Sequence, residues 1–330
     1  MDSSSLKPWR PTVFNRFAGL LALCCWLFLA CWLIGRLATD RWYWSQFLFW
    51  IPTPFAIAGA LFGFTLAFRS ARDSSIRFRR RSVWLLVVVA LFADFLLLEN
   101  HMFRSANPTP SGLKLVHWNM SQSVNPVPGD ILNSRLLELD PDITIMTSPG
   151  GWGWDPHLEP LNAGQRPVFI FPIVMLSKLP ILQGRQLIAD NGVFVGIVQL
   201  DATQTLGRPI TIYVVDFLSR PTASRMAVAD EVHDTLSRMN VPPPDLVVGD
   251  MNITRHSASL AHMFPDTADA YDQAGHGYAA TFERRFPLFH IDHVLLAPWL
   301  HATRYDVVDF SAARHRAQVC WFDTITSDKK

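Results

Sequence analysis

The stretch Asp245-Leu246-Val247-Val248-Gly249-Asp250-Met251-Asn252 is an apolar strand that ends by setting a carboxylate and a carboxamide two residues apart. In an extended chain residues i and i+2 share a face, so Asp250 and Asn252 are expected to point at one reacting group. Gly249 lets the backbone approach closely. This pairing suits phosphate chemistry. A strand-ending Gly-Asp turn with no chemical duty is the alternative, because such turns are common.

Other segments of similar character surround it. Gly112 to Met120 forms an apolar strand containing Asn119, and Asp140 to Met146 follows a short helical stretch. Met175 to Ile181 comes next, then Ile210 to Ser219 with Asp216, then His290 to Leu296 with Asp292, and finally Arg314-His315-Arg316. In order and spacing these pieces resemble the endonuclease/exonuclease/phosphatase family of metal-dependent phosphoester hydrolases, over roughly Leu113 to Phe322. The resemblance implies that Asp250 orients or deprotonates the attacking water, while Asn252 and Asn119 hold phosphoryl oxygens. It further implies that His315 stabilises the transition state and that Asp292 fixes its tautomer. Asn119 satisfying only a strand end, and Asp292 capping only the following strand, are the plainer alternatives.

The departures from the family pattern fall on the metal site. Where the family has a strand ending in Gln-Glu, with the glutamate on the metal, this chain has Thr147-Ser148. Where the family closes with Ser-Asp-His, it has Ala313-Arg314-His315, and Asp216-Phe217 stands at the family's His-Leu. Hard Mg²⁺ or Mn²⁺ needs at least one carboxylate, which Asp250 and Asp216 can supply in a rewired site. Alternatively, Arg314 stands as a fixed cation for phosphate, as a guanidinium can. Two functions therefore remain open: a divalent-metal phosphodiesterase or phosphomonoesterase, and a catalytically degenerate phosphoester-binding module.

These residues need a scaffold of strands. Apolar runs predict strands at Leu113–Trp118, Ile143–Met146, Val168–Leu176, Val193–Leu200, Ile210–Val215, Leu246–Val248, Ile291–Leu296 and Ala317–Phe322, with helices at Ile131–Leu139 and Ala223–Met239. The expected fold is α/β, a four-layer sandwich of two packed, mainly antiparallel sheets flanked by helices, occupying 112–330. Trp152 and Trp154 could line the cleft or belong to the core. Arg284 or Arg285 could contact phosphate or form a solvated pair.

The N-terminal third, 1–99, is a helical transmembrane domain by composition. Phe17 to Gly35 and Trp42 to Phe68 carry no charge, and Val83 to Leu98 is apolar except for Asp94. Three spans are expected, at 17–35, 44–68 and 83–98, with Pro52 and Pro54 kinking the second and the third short, either re-entrant or only just spanning. Residues 100–111, with Pro108 and Pro110, form a linker. Lys7, Arg10 and Arg16 precede the first span, and Arg69, Arg72, Arg77, Arg79, Arg80 and Arg81 separate the second from the third. The positive-inside rule then puts the N-terminus in the cytoplasm and the C-terminal domain in the periplasm or outside, across a bacterial inner or plasma membrane.

Of the 330 residues 49% are hydrophobic, and the mean hydropathy is +0.16, as an apolar third joined to a globular domain requires. The net charge of +1 hides an asymmetry. Residues 1–104 hold 12 Lys/Arg and 5 Asp/Glu, leaving 17 basic against 23 acidic residues beyond. An acidic domain argues against long nucleic acids and favours a small phosphoester or a phospholipid head group. Cys24, Cys25 and Cys31 lie in the first span and Cys320 alone beyond it, so no disulfide closes within the C-terminal domain.

Overall fold

The computed structural model describes residues 11–67, 74–121, 128–150 and 155–325. Lys7, Arg10, Arg69, Arg72, Trp152 and Trp154, used in the sequence reading, lie outside the described residues. The chain divides into two compact units, Met1–Glu99 and Asn100–Lys330.

The first unit is helical: α1 (Pro11–Ala38), α2 (Tyr43–Phe49), α3 (Thr53–Ala67) and α4 (Ser74–Ala93), which runs on as a π-helical turn over Asp94–Glu99. Phe17–Ala38 and Phe78–Glu99, 22 residues each, are long and apolar enough to cross a membrane. The third apolar helix is therefore longer than the expected 83–98 stretch, because the helix begins among the arginines. The second is broken. Helices α2 and α3 meet at a 67° bend around Pro52 and Pro54, where missing N–H groups and steric steering of the preceding residues interrupt the helix. Small residues line the buried side of α3, namely Ala56, Ala60 and Gly63. A Cβ added to Gly63 would come within 2.3 Å of the Trp84 ring, so α3 and α4 pack closely there. Arg36 pairs with Glu99 and, at 3.7 Å, Asp94, while Thr53 donates to Glu99 at 2.6 Å.

The second unit contains twelve strands among the described residues. They are β1 (Leu113–Asn119), β2 (Ile143–Thr147), β3 (Val168–Ile170), β4 (Ile173–Ser177), β5 (Ile181–Asp190), β6 (Val193–Leu200), β7 (Ile210–Asp216), β8 (Leu246–Asp250), β9 (Ala268–Asp269), β10 (Asp292–Leu296), β11 (Leu300–Val308) and β12 (Ala317–Thr324). Helices α5 (Gly129–Leu139), α6 (Thr203–Leu206), α7 (Arg225–Met239), α8 (Ala258–Met263) and α9 (Ala270–Ala274) connect them. Two six-stranded sheets result, ordered β11-β12-β1-β2-β4-β3 and β5-β6-β7-β8-β10-β9. Each has one parallel pair, β1 with β2 across α5 and β7 with β8 across α7, amid antiparallel neighbours.

Side-chain alternation sorts the residues into layers. Leu115, Ile145, Val198, Val214, Val248 and Val294 form the core between the sheets. Val116, Trp118 and Met146 pack outward on Leu132 and Leu136 of α5, and Tyr213, Val215 and Val247 pack on Val228 and Val232 of α7. This is the expected four-layer sandwich. The run Val168–Leu176 forms a hairpin rather than one strand, turning at Phe171-Pro172. Strands β5, β9 and β11 escaped the sequence reading: β5 carries Gln183, Arg185 and Gln186 and shows little apolar alternation.

Candidate active site

The inner faces of the two sheets change character at one end. Leu113 and Leu115 give way to His117 and Asn119 on β1, Ile143 and Ile145 to Thr147 on β2, and Phe322 and Cys320 to Gln318 on β12. On the facing sheet, Ile212 and Val214 lead to Asp216, Leu246 and Val248 to Asp250, and Leu296 and Val294 to Asp292. Registry aligns these ends, with Asp250 paired to Asp216 on one side and to Asp292 on the other. Gly249 permits the approach: at φ +153° a Cβ would lie 1.8 Å from the Val215 carbonyl oxygen.

Hydrogen bonds cross between the sheets at this end. Asn119 Nδ2 donates to Asp250 Oδ2 at 2.8 Å, and the Asn119 Oδ1 accepts from the Ser121 amide. His315 Nδ1 pairs with Asp292 Oδ2 at 2.9 Å, which leaves Nε2 facing Asp250 Oδ2 at 3.8 Å, too long for a hydrogen bond. Trp118 Nε1 holds the His315 carbonyl at 3.1 Å, and the Phe282 ring lies 4.8 Å from the imidazole. Three residues that the sequence reading did not assign to the site complete the frame. His117 joins Gln318 and Thr147 through its two ring nitrogens, and Gln318 donates to the Asp292 carbonyl. The available signal was polar residues at inward positions of apolar strands.

Burial and charge shape the acidities. Burial, reinforced by Asp292, lifts Asp250 to about 6 although His315 and Asn119 oppose it. Asp216 is raised well above the carboxylate range by burial and then by Asp250. Burial also works against ionised Asp292, but the His315 charge and hydrogen bond overcome it and hold the group at about 2. Burial alone would neutralise His315; Asp292 and Asp250 outweigh it and bring the imidazole to about 9. Three carboxylates thus share one imidazolium.

The remaining residues singled out in the sequence sit nearby or apart. Asn252 lies past the strand end at φ 48°, so strand alternation does not orient it. Instead its amide donates to Asp250 Oδ1 at 3.0 Å and its carboxamide to the Phe217 carbonyl at 2.8 Å. Arg314 pairs with Glu283 at 3.0 Å and covers the Phe282 ring. Ser148, at φ 46°, donates its amide to the Pro172 carbonyl. Arg284 holds the Ala313 carbonyl and Asp309, and Arg285 is exposed.

The family resemblance implies a divalent metal, and the side chains present fit one. Asp250, Asp292 and His315 each offer a ligand atom, all within 4.8 Å of one another. Asp292 Oδ1 is buried with no hydrogen-bond partner, a state that costs free energy unless a cation satisfies it. Asp292 therefore joins Asp250 as a candidate ligand, while Asp216 lies outside this group.

No protein-family model and no curated protein sequence matches the chain. Solved structures do. An endonuclease/exonuclease/phosphatase protein from Beutenbergia cavernae superposes with a TM-score of 0.50 at 19% identity, covering 64% of this chain and 71% of that one. A mannosyl-6-phosphatase from Bacteroides thetaiotaomicron gives 0.49 at 15% identity, covering 64% and 99%. A synaptojanin inositol polyphosphate 5-phosphatase domain, in complex with inositol (1,4)-bisphosphate and calcium, gives 0.42 at 11%, covering 66% and 86%. The second unit thus has the endonuclease/exonuclease/phosphatase fold.

Proposed function

We propose that this protein is a membrane-tethered phosphoric ester hydrolase whose reaction centre is built on Asp250 and His315. The observation that carries the reading is the inter-sheet cluster in which Asn119 holds Asp250 and Asp292 holds His315. A carboxylate lifted to about 6 is matched to taking a proton from water near neutral pH. His315 keeps a second N–H beyond its bond to Asp292, available to a phosphoryl oxygen as negative charge develops. Asp292 positions the imidazole. Asp250 and Asp292, with Asp216 beside them, would hold a Mg²⁺ or Mn²⁺ ion, which would supply charge neutralisation at the phosphoryl group.

The acidic balance beyond residue 104 supports a small phosphoester or a phospholipid head group over nucleic acid. The arginine distribution supports a domain facing away from the cytoplasm, in the periplasm or outside the cell. One feature favours the second reading, a phosphoester-binding module without turnover: Ser148 brings no carboxylate to the strand end where the resemblance calls for a glutamate.

One experiment addresses activity and orientation together. Spheroplasts expressing the full chain are given a membrane-impermeant phosphodiester or phosphomonoester reporter. Hydrolysis should proceed without lysis, stop with a chelator, and fall by about a hundredfold or more in Asp250→Asn. Hydrolysis only after lysis would reverse the orientation. Reporter analogues that bind without turning over would leave the binding module.

A further inference from the structure

A second buried cluster lies on the opposite face of β10. His293 is adjacent to Asp292, and alternation sends it outward from the inter-sheet core, toward Asp269 at the end of β9. His290, two residues before the strand, stacks on His293 with ring centroids 5.1 Å apart. Tyr271 meets the His290 ring edge-on at 5.4 Å, and Tyr305 closes the same aromatic group. We propose that Asp269, His290 and His293 form a second metal site, distinct from the Asp250 centre, that takes Zn²⁺ or a similar borderline first-row cation.

Geometry is the first support. The three residues each offer one ligand atom, all within 4.8 Å of one another, and all three are buried. Two imidazoles and one carboxylate suit zinc or cobalt better than magnesium, which prefers oxygen.

Hydrogen-bond accounting is the second. His290 is 92% buried by its 8% exposure, yet neither ring nitrogen has a hydrogen-bond partner. A neutral imidazole has one donor and one acceptor, so leaving both unmet in the interior is costly. His293 faces two acceptors. Its Nε2 lies 2.8 Å from the Ile253 carbonyl and its Nδ1 2.9 Å from Asp269 Oδ2, which an imidazolium meets with two N–H groups and a neutral ring meets only with a cation at Nδ1. A cation bound by His290, His293 Nδ1 and Asp269 resolves both at once, with Ile253 accepting from Nε2 as an outer partner. The wholly buried Tyr305 hydroxyl is also without a partner, which leaves a further donor beside the cluster. Arg255 is engaged by Asp272 at 3.3 Å and lies over Tyr271, so its charge is already countered.

The role that follows is structural. Asp269 belongs to the two-residue edge strand β9 and caps α9 through the Tyr271 amide, so a metal here fastens this edge to β10 and the segment entering it.

The test uses the purified full chain in detergent, stripped with chelator and then titrated with Co²⁺. The wild type should take up Co²⁺ with visible ligand-field bands of a nitrogen-containing site, and Asp250→Asn with His315→Ala should keep those bands. His290→Phe, which preserves the ring packing, should lose them. Thermal unfolding gives a second readout with a change of sign. With Zn²⁺ present the wild type should unfold about 5 °C above His290→Phe, and under chelator the variant should match or exceed it, because its unpaired nitrogens are gone. Absence of the bands in wild type, their loss in the Asp250/His315 variant, or one unchanged ranking in both conditions would overturn the proposal. None of these outcomes depends on phosphoester hydrolysis, so failure here leaves the reading of the Asp250 centre untouched.

Discussion

Asp292 and His293 are neighbours on β10 and serve two clusters of opposite composition. Asp292 faces inward between the sheets, where Asp216 and Asp250 of its own sheet and His315 gather; His293 faces away, where Asp269 and His290 gather. The inter-sheet cluster has three carboxylates for one imidazole and resists full ionisation, as the raised Asp250 and Asp216 record. The outer cluster has two imidazoles for one carboxylate, and burial instead keeps His290 neutral, at about 3. One residue of register thus separates a centre short of positive charge from one rich in nitrogen donors, because successive side chains of a strand leave on opposite faces.

The sharpest way to break this comparison is to remove the imidazolium from the inter-sheet cluster. His315→Ala should lower any phosphoester turnover by about a hundredfold or more. Equal activity in wild type and His315→Ala would take the imidazole out of the mechanism.

A smaller effect should appear in stability against pH. His315 is raised from an ordinary 6.5 to about 9, so its contribution is complete below about pH 6.5 and is lost as pH climbs through about 9. Asp250, lifted to about 6, has finished titrating by then. Between pH 7 and 9.5 the chelator-treated wild type should lose about 5 °C of unfolding temperature, and His315→Gln should flatten that slope. Parallel slopes would show that the imidazolium is not held by Asp292 and Asp250.

The smallest effect is expected outside both clusters. Arg314 and Glu283 form a partly exposed pair, at 38% and 40% side-chain exposure, of a kind that contributes less than about 1 kcal/mol. Arg314→Ala should change turnover by less than about threefold. A tenfold rise in KM with unchanged kcat would instead show Arg314 leaving Glu283 to hold the substrate.

Much of this was legible in the chain. Apolar runs of three to eight residues located seven strands within a residue or two, the 168–176 run being a hairpin, and apolar stretches marked the helices long and apolar enough to cross a membrane. Asn119 and Asp250 could be picked out because they end apolar strands, and Asp292 and His315 because they stand at or just before the start of one, in the order the family resemblance gives. His117, Thr147 and Gln318 carried only the weaker signal of a polar residue at an inward strand position, which gains meaning once its partners are known. Asn252 stands beside Asp250, but not through strand alternation, since its backbone leaves the extended region.

The sequence by itself determined the periodicity: which stretches are strands, which are apolar enough for a membrane, and which positions alternate inward. Tertiary structure decided everything that depends on two segments meeting. It turned Arg314 to Glu283, drew Asp292 rather than Asp216 into the metal-capable group, and brought His290 and His293 to Asp269. The physical reason is the range of the forces involved. Strand periodicity is local and written in consecutive residues, whereas hydrogen bonding, charge pairing and ligand convergence act across a few ångströms between residues far apart in the chain, as Asn119 and Asp250, 131 residues apart, are.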